Sequence, residues 1–278
     1  MMVRSLIVAA LVVGSAALSA QSRNQSGDRD FGRSADEWCA DTGRWGRNDR
    51  SACDVREESL PGASLLDVDT GGNGGIRVRG TSGSTARLRF RVVTHARSED
   101  DARALAKEVE ITTAGGRVRA RGPRTRDGEG WSVDVEIESP RELPLTLVTN
   151  NGGVSIEDVT GRTRFDTTNG GVSLAGVAGD VRGRTVNGGV TVELDGRRWE
   201  GEGLDVATTN GGVRMTLPDG YNAELTAETT NGGLSIDFPV TVQGRLSSIN
   251  HRIVTTLGAG GPPLRVRTVN GGVSIAKR

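Results

Sequence analysis

The chain has 278 residues, 35 of them basic and 35 acidic, for a formal net charge of zero. No block of one sign dominates, so neither nucleic acid nor an anionic membrane is expected as the main partner. Aromatics at 3% beside 41 glycines exclude a core built on large rings.

In chain order, the opening MMVRSLIVAALVVGSAALSA places Arg4 before an apolar run over 6–13 and small residues through Ala20. That order predicts a secretory signal peptide over 1–20. The run is too short to span a bilayer. Export to the periplasm, cell surface or exterior is therefore expected, with no transmembrane segment after signal removal.

Residues 21–60 read as a flexible polar segment followed by a disulfide-closed cap. Cys39 and Cys53 are the only cysteines, and in an oxidising compartment such a pair reads as one disulfide. Closing CADTGRWGRNDRSAC is worth about 3 kcal/mol in the chain-entropy account. No histidine lies nearby to make the pair a metal site.

Residues 61–278 read as one β-strand repeat domain. Asn-Gly-Gly recurs at Asn73, Asn151, Asn169, Asn187, Asn210, Asn231 and Asn270. The steps from Asn151 to Asn231 are 18, 18, 23 and 21 residues, and Asn250 divides the 39-residue gap that follows. His95 and Ala114 fill the corresponding slots between Asn73 and Asn151, and WSVDVEIE (131–138) supplies a further degenerate unit. A sustained period near 20 residues means a repeat fold. Within TVNGGVTVEL, Val190, Val192 and Leu194 alternate with Thr191 and Glu193, as in a half-buried strand.

Two architectures can host this period. An antiparallel β meander would make each Asn-Gly a hairpin turn, but it pairs unlike neighbours and gives no reason for identical residues. A right-handed β-solenoid (β-helix) of about 20-residue coils stacks identical positions. Asparagine amides can then form a ladder, the glycines a shared positive-φ corner, and Val with Leu or Ile an interior column. The sequence favours this all-β solenoid. One short inserted helix is expected at SEDDARALAKEV (98–109), where Ser98 can cap a first turn rich in acids. The segment 31–58 is expected to cover the first coil, and the final VSIAKR to place two cations on the last exposed edge.

No catalytic constellation, cofactor or metal site is evident. His95 and His251 are the only histidines, no G-x-S-x-G marks a serine, and both fall in or beside the asparagine column. Asp134, Glu136 and Glu138 alternate on one strand, with Glu157 and Asp166 on neighbouring units. A glycosidase would need two such acids across a cleft, whereas alternating acids are ordinarily a solvated face. The glycines lack both the aspartate of a calcium-binding nonapeptide and the helix of a phosphate cradle. The insertion DGRRWEGEG (195–203) breaks the period and offers Arg197, Arg198 and Trp199 on a loop. With His95 and His251 these are the candidate binding residues.

The units TTNGGVSL, TVNGGVTV, TTNGGVRM and TTNGGLSI, with the ending LGAGGPPLRVRTVNGGVSI, resemble the bacterial putative-adhesin family of exported β-strand-repeat domains over residues 64–276. The resemblance implies an exported, non-enzymatic envelope or surface protein. It would offer an extended surface to an unidentified envelope or extracellular partner, protein or glycan. A polysaccharide-acting β-helix enzyme is the alternative.

Overall fold

The computed structural model describes residues 32–40, 50–238 and 251–278. The expected signal peptide and Asn250 lie outside them. Strands run in chain order as β1 (Arg50–Pro61), β2 (Leu66–Asp69), β3 (Ile76–Thr81), β4 (Thr85–Ala96), β5 (Glu110–Thr112), β6 (Arg117–Arg121) and β7 (Gly130–Pro140). They continue as β8 (Leu145–Asn151), β9 (Val154–Glu157), β10 (Thr163–Asn169), β11 (Val172–Ala175), β12 (Asp180–Asn187), β13 (Val190–Glu193) and β14 (Gly203–Asn210). The last are β15 (Val213–Leu217), β16 (Ala223–Asn231), β17 (Leu234–Ile236), β18 (Arg252–Leu257), β19 (Pro263–Asn270) and β20 (Val273–Lys277). Among the described residues two α-helices join them, α1 (Ala35–Cys39) and α2 (Glu99–Glu108). In α2 the Ser98 hydroxyl accepts from the Asp101 amide at 3.1 Å, the expected cap.

The fold is all-β, with two ten-stranded sheets. The first has the order β1-β4-β7-β3-β9-β11-β13-β15-β20-β17, and the second β18-β16-β19-β14-β12-β10-β8-β2-β6-β5. Each Asn-Gly-Gly unit sends one strand into the second sheet, turns at the motif, and sends the next strand into the first. Like strands pair in parallel and in register: Val172 lies between Val154 and Val190, and Asn169 between Asn151 and Asn187. An antiparallel meander is thereby set aside for the repeats. Their β-branched and aliphatic residues alternate inward, and the buried rows of both sheets form one continuous core. Where Phe165 enters its row, the in-register neighbour on β12 is Gly183, and a Cβ there would stand 2.4 Å from the ring.

Three expectations need correction. First, stacking does not follow chain order. The unit β2–β3 lies between β6–β7 and β8–β9, and the C-terminal unit β19–β20 lies between β14–β15 and β16–β17. VSIAKR is therefore interior to its sheet, and Lys277 pairs with Asp219 at 2.7 Å. Second, His95 and Ala114 occupy no asparagine slot. His95 is buried in β4, which pairs antiparallel with β7 and β1. Ala114 begins a short 3-10 turn leading into β6. The long gap after Asn231 likewise holds an antiparallel strand, β18 on β16. Antiparallel strands thus finish three of the four sheet edges, β4 and β1 on the first sheet and β5 and β18 on the second; the first sheet's other edge is the parallel strand β17. β1 arises from the segment expected to be a flexible lead and cap.

Third, the corner needs glycine for space more than for φ. Of the motif glycines only Gly74 (φ 127°) and Gly271 (φ 156°) are positive. At the first glycine of each corner a Cβ would meet the neighbouring unit's carbonyl oxygen: Gly74 O at 2.0 Å for Gly152, Gly152 O at 2.0 Å for Gly170, and Gly170 O at 2.1 Å for Gly188. At the second glycine the nearest atom is farther, as at Gly189, where Gly212 O would be 3.4 Å away.

Two outcomes follow from this geometry. Gly188→Ala must displace backbone and should cost about 2–4 kcal/mol in urea unfolding, whereas Gly189→Ala should change stability by less than about 1 kcal/mol. Deleting residues 258–278 removes an interior unit and strands β16–β17. It should abolish cooperative unfolding of the neighbouring units, and simple fraying of one end would contradict the interleaved order.

Candidate functional site

The corner is a hydrogen-bonded column. Each asparagine Nδ2 donates to the Oδ1 of the next in one direction: Asn231 to Asn270 (2.9 Å), Asn270 to Asn210 (2.8 Å), Asn210 to Asn187 (2.8 Å), Asn187 to Asn169 (2.7 Å), Asn169 to Asn151 (2.7 Å) and Asn151 to Asn73 (2.8 Å). Asn73 ends the series on the Trp131 carbonyl at 3.4 Å. From Asn151 onward, the buried threonine two residues before each asparagine also has a fixed role that the sequence pattern alone does not reveal. Thr185 Oγ1 donates to Gly170 O at 2.8 Å and Thr208 Oγ1 to Gly188 O at 2.7 Å, satisfying the carbonyls that crowd the next glycine. These donors and acceptors are occupied with one another, so the corner's chemistry serves the fold.

The candidate binding residues do not converge. Arg197 and Arg198 are exposed on the loop between β13 and β14, pinned where Asn222 N and Nδ2 donate to Arg197 O at 2.8 and 3.0 Å. Trp199 is not offered to a ligand: it is 2% exposed, and its indole N–H donates to Gly179 O at 3.0 Å. Its apolar area belongs in the core, and the loop bends to place it there. His95 is buried in β4 towards one end of the stack, while His251 is exposed just before β18 at the other.

The acids of β7 are engaged by arginines. Asp134 accepts from Arg91 Nη2 at 2.7 Å, Arg91 Nε at 3.0 Å and the Gly75 amide at 2.7 Å. Glu136 is buried beside Arg89 at 3.2 Å and Arg77 at 3.6 Å. Arg89 and Arg91 also lie over the Trp38 ring, 5.0 and 5.7 Å from its centroid. Arg91 Nη1 bonds the Trp38 carbonyl at 2.9 Å, and the adjacent Cys39 is disulfide-bonded to Cys53. This charge cluster therefore docks α1 on the first sheet. Glu157 and Asp166 are likewise paired, with Arg79 at 3.8 Å and Arg184 at 2.8 Å.

The concentration of like charge lies elsewhere, on the outer face of the second sheet. Five outward arginines occupy two rows across β10, β12 and β19: Arg164, Arg182, Arg184, Arg265 and Arg267. All but Arg265 line an open depression of about 420 Å³ that Val148, Gly183 and Ala207 share. Asp180 gathers Arg164 (2.6 Å) and Arg182 (3.0 Å), and Asp205 holds Arg267 (2.7 Å). The hydrogen bond from Arg164 holds the Asp180 carboxyl below its ordinary range against the opposing effect of burial, with Arg182 adding to it. These rows sit five and three residues before each asparagine, an offset visible in the sequence once the corner is fixed.

Among known families, the model described as Toastrack DUF4097 matches residues 106–276. No curated protein matches the chain. Among solved structures, a putative cell adhesion protein from Clostridium sporogenes ATCC 15579 is 12% identical with a TM-score of 0.44, covering 82% of this chain and 100% of that one. A putative adhesin from Bacteroides fragilis NCTC 9343 is 10% identical with a TM-score of 0.35, covering 81% and 97%.

The turn between β15 and β16, beside the loop after β13, has a measurable electrostatic signature. Tyr221, the only tyrosine of the chain, is 2% exposed. Burial pushes its phenol up to about 12, with Asp195 and Glu200 adding to the shift. The folded state then keeps a proton that the unfolded state releases near pH 10, so stability should fall by about 3 kcal/mol as pH rises from about 10 to about 12. Urea titrations across that window should show the loss in the native chain and a nearly flat response in Tyr221→Phe.

Proposed function

The chain belongs to the Toastrack DUF4097 family, and we propose that it is an exported, non-enzymatic cell-envelope or surface protein that binds an extracellular or envelope partner. In this reading the two sheets wind as a right-handed β-solenoid of about 20-residue coils. The observation that carries the reading is the division of labour among polar groups. Corner asparagines and threonines are consumed by the stack, and the β7 acids by arginines. What remains for a partner is a broad, rigid, periodic outer surface, the kind repeat proteins use for binding. The opening residues 1–20 fit as the export signal, the disulfide of Cys39 and Cys53 fits an oxidising compartment, and no described helix is long and apolar enough to cross a membrane.

Fractionation of intact cells, followed by protease treatment from outside, tests this. The protein should appear in the envelope or exterior fraction without residues 1–20, with Cys39 and Cys53 oxidised. Recovery of the full-length chain with reduced cysteines from the cytoplasm would overturn the proposal.

A further inference from the structure

The arginine rows on the second sheet have properties beyond a solvated face. Among the outward residues of β8, β10, β12, β14 and β19 in the two rows around the depression, five arginines stand against Asp166 and Asp205, with Asp180 at the base of β12. The whole chain is balanced at 35 to 35, so the positive charge here is segregated. It is also bounded. The same rows turn acidic at Asp67 and Asp69 on β2, and on β16 they carry Thr226 and the acidic Glu228. The arginines thus run across four adjacent strands, β10 to β19, about 14 Å at ordinary strand spacing.

The arginines are oriented as well as concentrated. Arg182 is held through Nε by Asp180 at 3.0 Å, and Arg184 through Nε by Asp166 at 2.8 Å. Their side chains stay 58% and 71% exposed, and the hydrogen bonds described for them use neither Nη1 nor Nη2. An acid bound at Nε restricts the side chain and leaves the planar fork outward, a geometry matched to a second carboxylate. The two forks start from alternate residues of β12, about 7 Å apart along the strand, on either side of the main chain at Gly183. Val148 and Ala207 line the same depression with apolar surface.

We propose that this strip is the binding site for a short segment of acidic glycan, with Arg182 and Arg184 holding uronic-acid carboxylates and Val148 and Ala207 meeting the C–H faces of the sugar rings. The inference rests on the binding role proposed above and names its ligand class. A polyphosphate or nucleic-acid partner fits less well, because the positive strip ends in carboxylates on both sides and apolar side chains share its floor.

Calorimetric titration of the purified chain with oligogalacturonate tests the assignment, with a neutral oligosaccharide, polyphosphate and single-stranded DNA as comparison ligands. Saturable binding to oligogalacturonate, weakened by salt, is expected. Arg182→Gln/Arg184→Gln should lower affinity at least tenfold with an unchanged melting temperature, and Arg214→Gln, on the opposite sheet, should not. Ala207→Glu puts a carboxylate into the depression while sparing every ion pair, and should also abolish binding. The assignment is overturned by absent binding, by affinity unchanged in these strip variants, or by tighter binding of polyphosphate or DNA. The two proposals fail separately: a cytoplasmic location with oligogalacturonate binding intact removes the envelope role, and surface exposure without such binding removes this ligand.

Discussion

At each corner the carbonyl of the first glycine in one unit points into the space where the next unit's first glycine would carry a Cβ, about 2 Å away for Gly152, Gly170, Gly188 and Gly211. The same carbonyls accept a threonine hydroxyl from the next unit, as Gly152 O does from Thr167 at 2.9 Å. One atom therefore fixes two residue types at once: a glycine it would otherwise strike, and a threonine without which it would be buried unpaired. With the backbones in contact, in-register strands bring the asparagine amides within hydrogen-bond range, and the inward valines fall into columns. T-x-N-G is one contact written four residues long, repeated down the stack.

A contact so uniform carries no address, because any unit can stack on any other. Specific order must come from the connections and the ends, where the chain departs from simple succession. Units β2–β3 and β19–β20 are each enclosed by units of neighbouring sequence, so the first and last parallel units of the chain are interior ones. Three of the four sheet edges among the described residues are then finished by strands that run the other way, β4 with β1 on the first sheet and β18 and β5 on the second, while the fourth is the short parallel strand β17. A reversed strand lacks the corner and cannot propagate the stack, which limits edge-to-edge growth. Trp38, the arginines beneath it and the Cys39–Cys53 bond fasten α1 over the finished end.

This explains what was legible in the sequence. The Asn-Gly-Gly period exposed the units, the alternation exposed the inward rows, and Ser98 with its acidic first turn exposed α2. Assigning His95 and Ala114 to asparagine slots failed because alternation is the same in parallel and antiparallel strands, so the interval before Asn151 could be divided by arithmetic alone. The order of units was invisible for the reason just given. The paired glycines suggest a positive-φ turn when one unit is considered alone, whereas the demand comes from a neighbour that no single unit contains. Trp199 read as an exposed loop aromatic because nothing local distinguishes a projecting insertion from one that folds back to bury its ring.

The same logic separates structure from function on the surface. A residue whose side chain bonds the units on both sides can vary little without loss of the stack, and Asn187, which donates to Asn169 and accepts from Asn210, is of that kind. Outward positions five and three residues before the asparagine are under no such demand: at these rows the chain places Thr146 and Val148, Arg164 and Asp166, Arg182 and Arg184, Asp205 and Ala207, Arg265 and Arg267. Strand geometry tolerates all of these, so the backbone does not dictate arginine there. Arginine facing arginine across parallel strands costs free energy unless carboxylates intervene, and Asp166, Asp180 and Asp205 intervene through part of each guanidinium. The remaining forks face outward, at spacings set by the rigid frame. Rigidity matters for the proposed ligand, because side chains already held by Asp180 and Asp166 would lose little further freedom on binding an anion. The stack thus supplies the preorganisation, and the variable rows supply the chemistry.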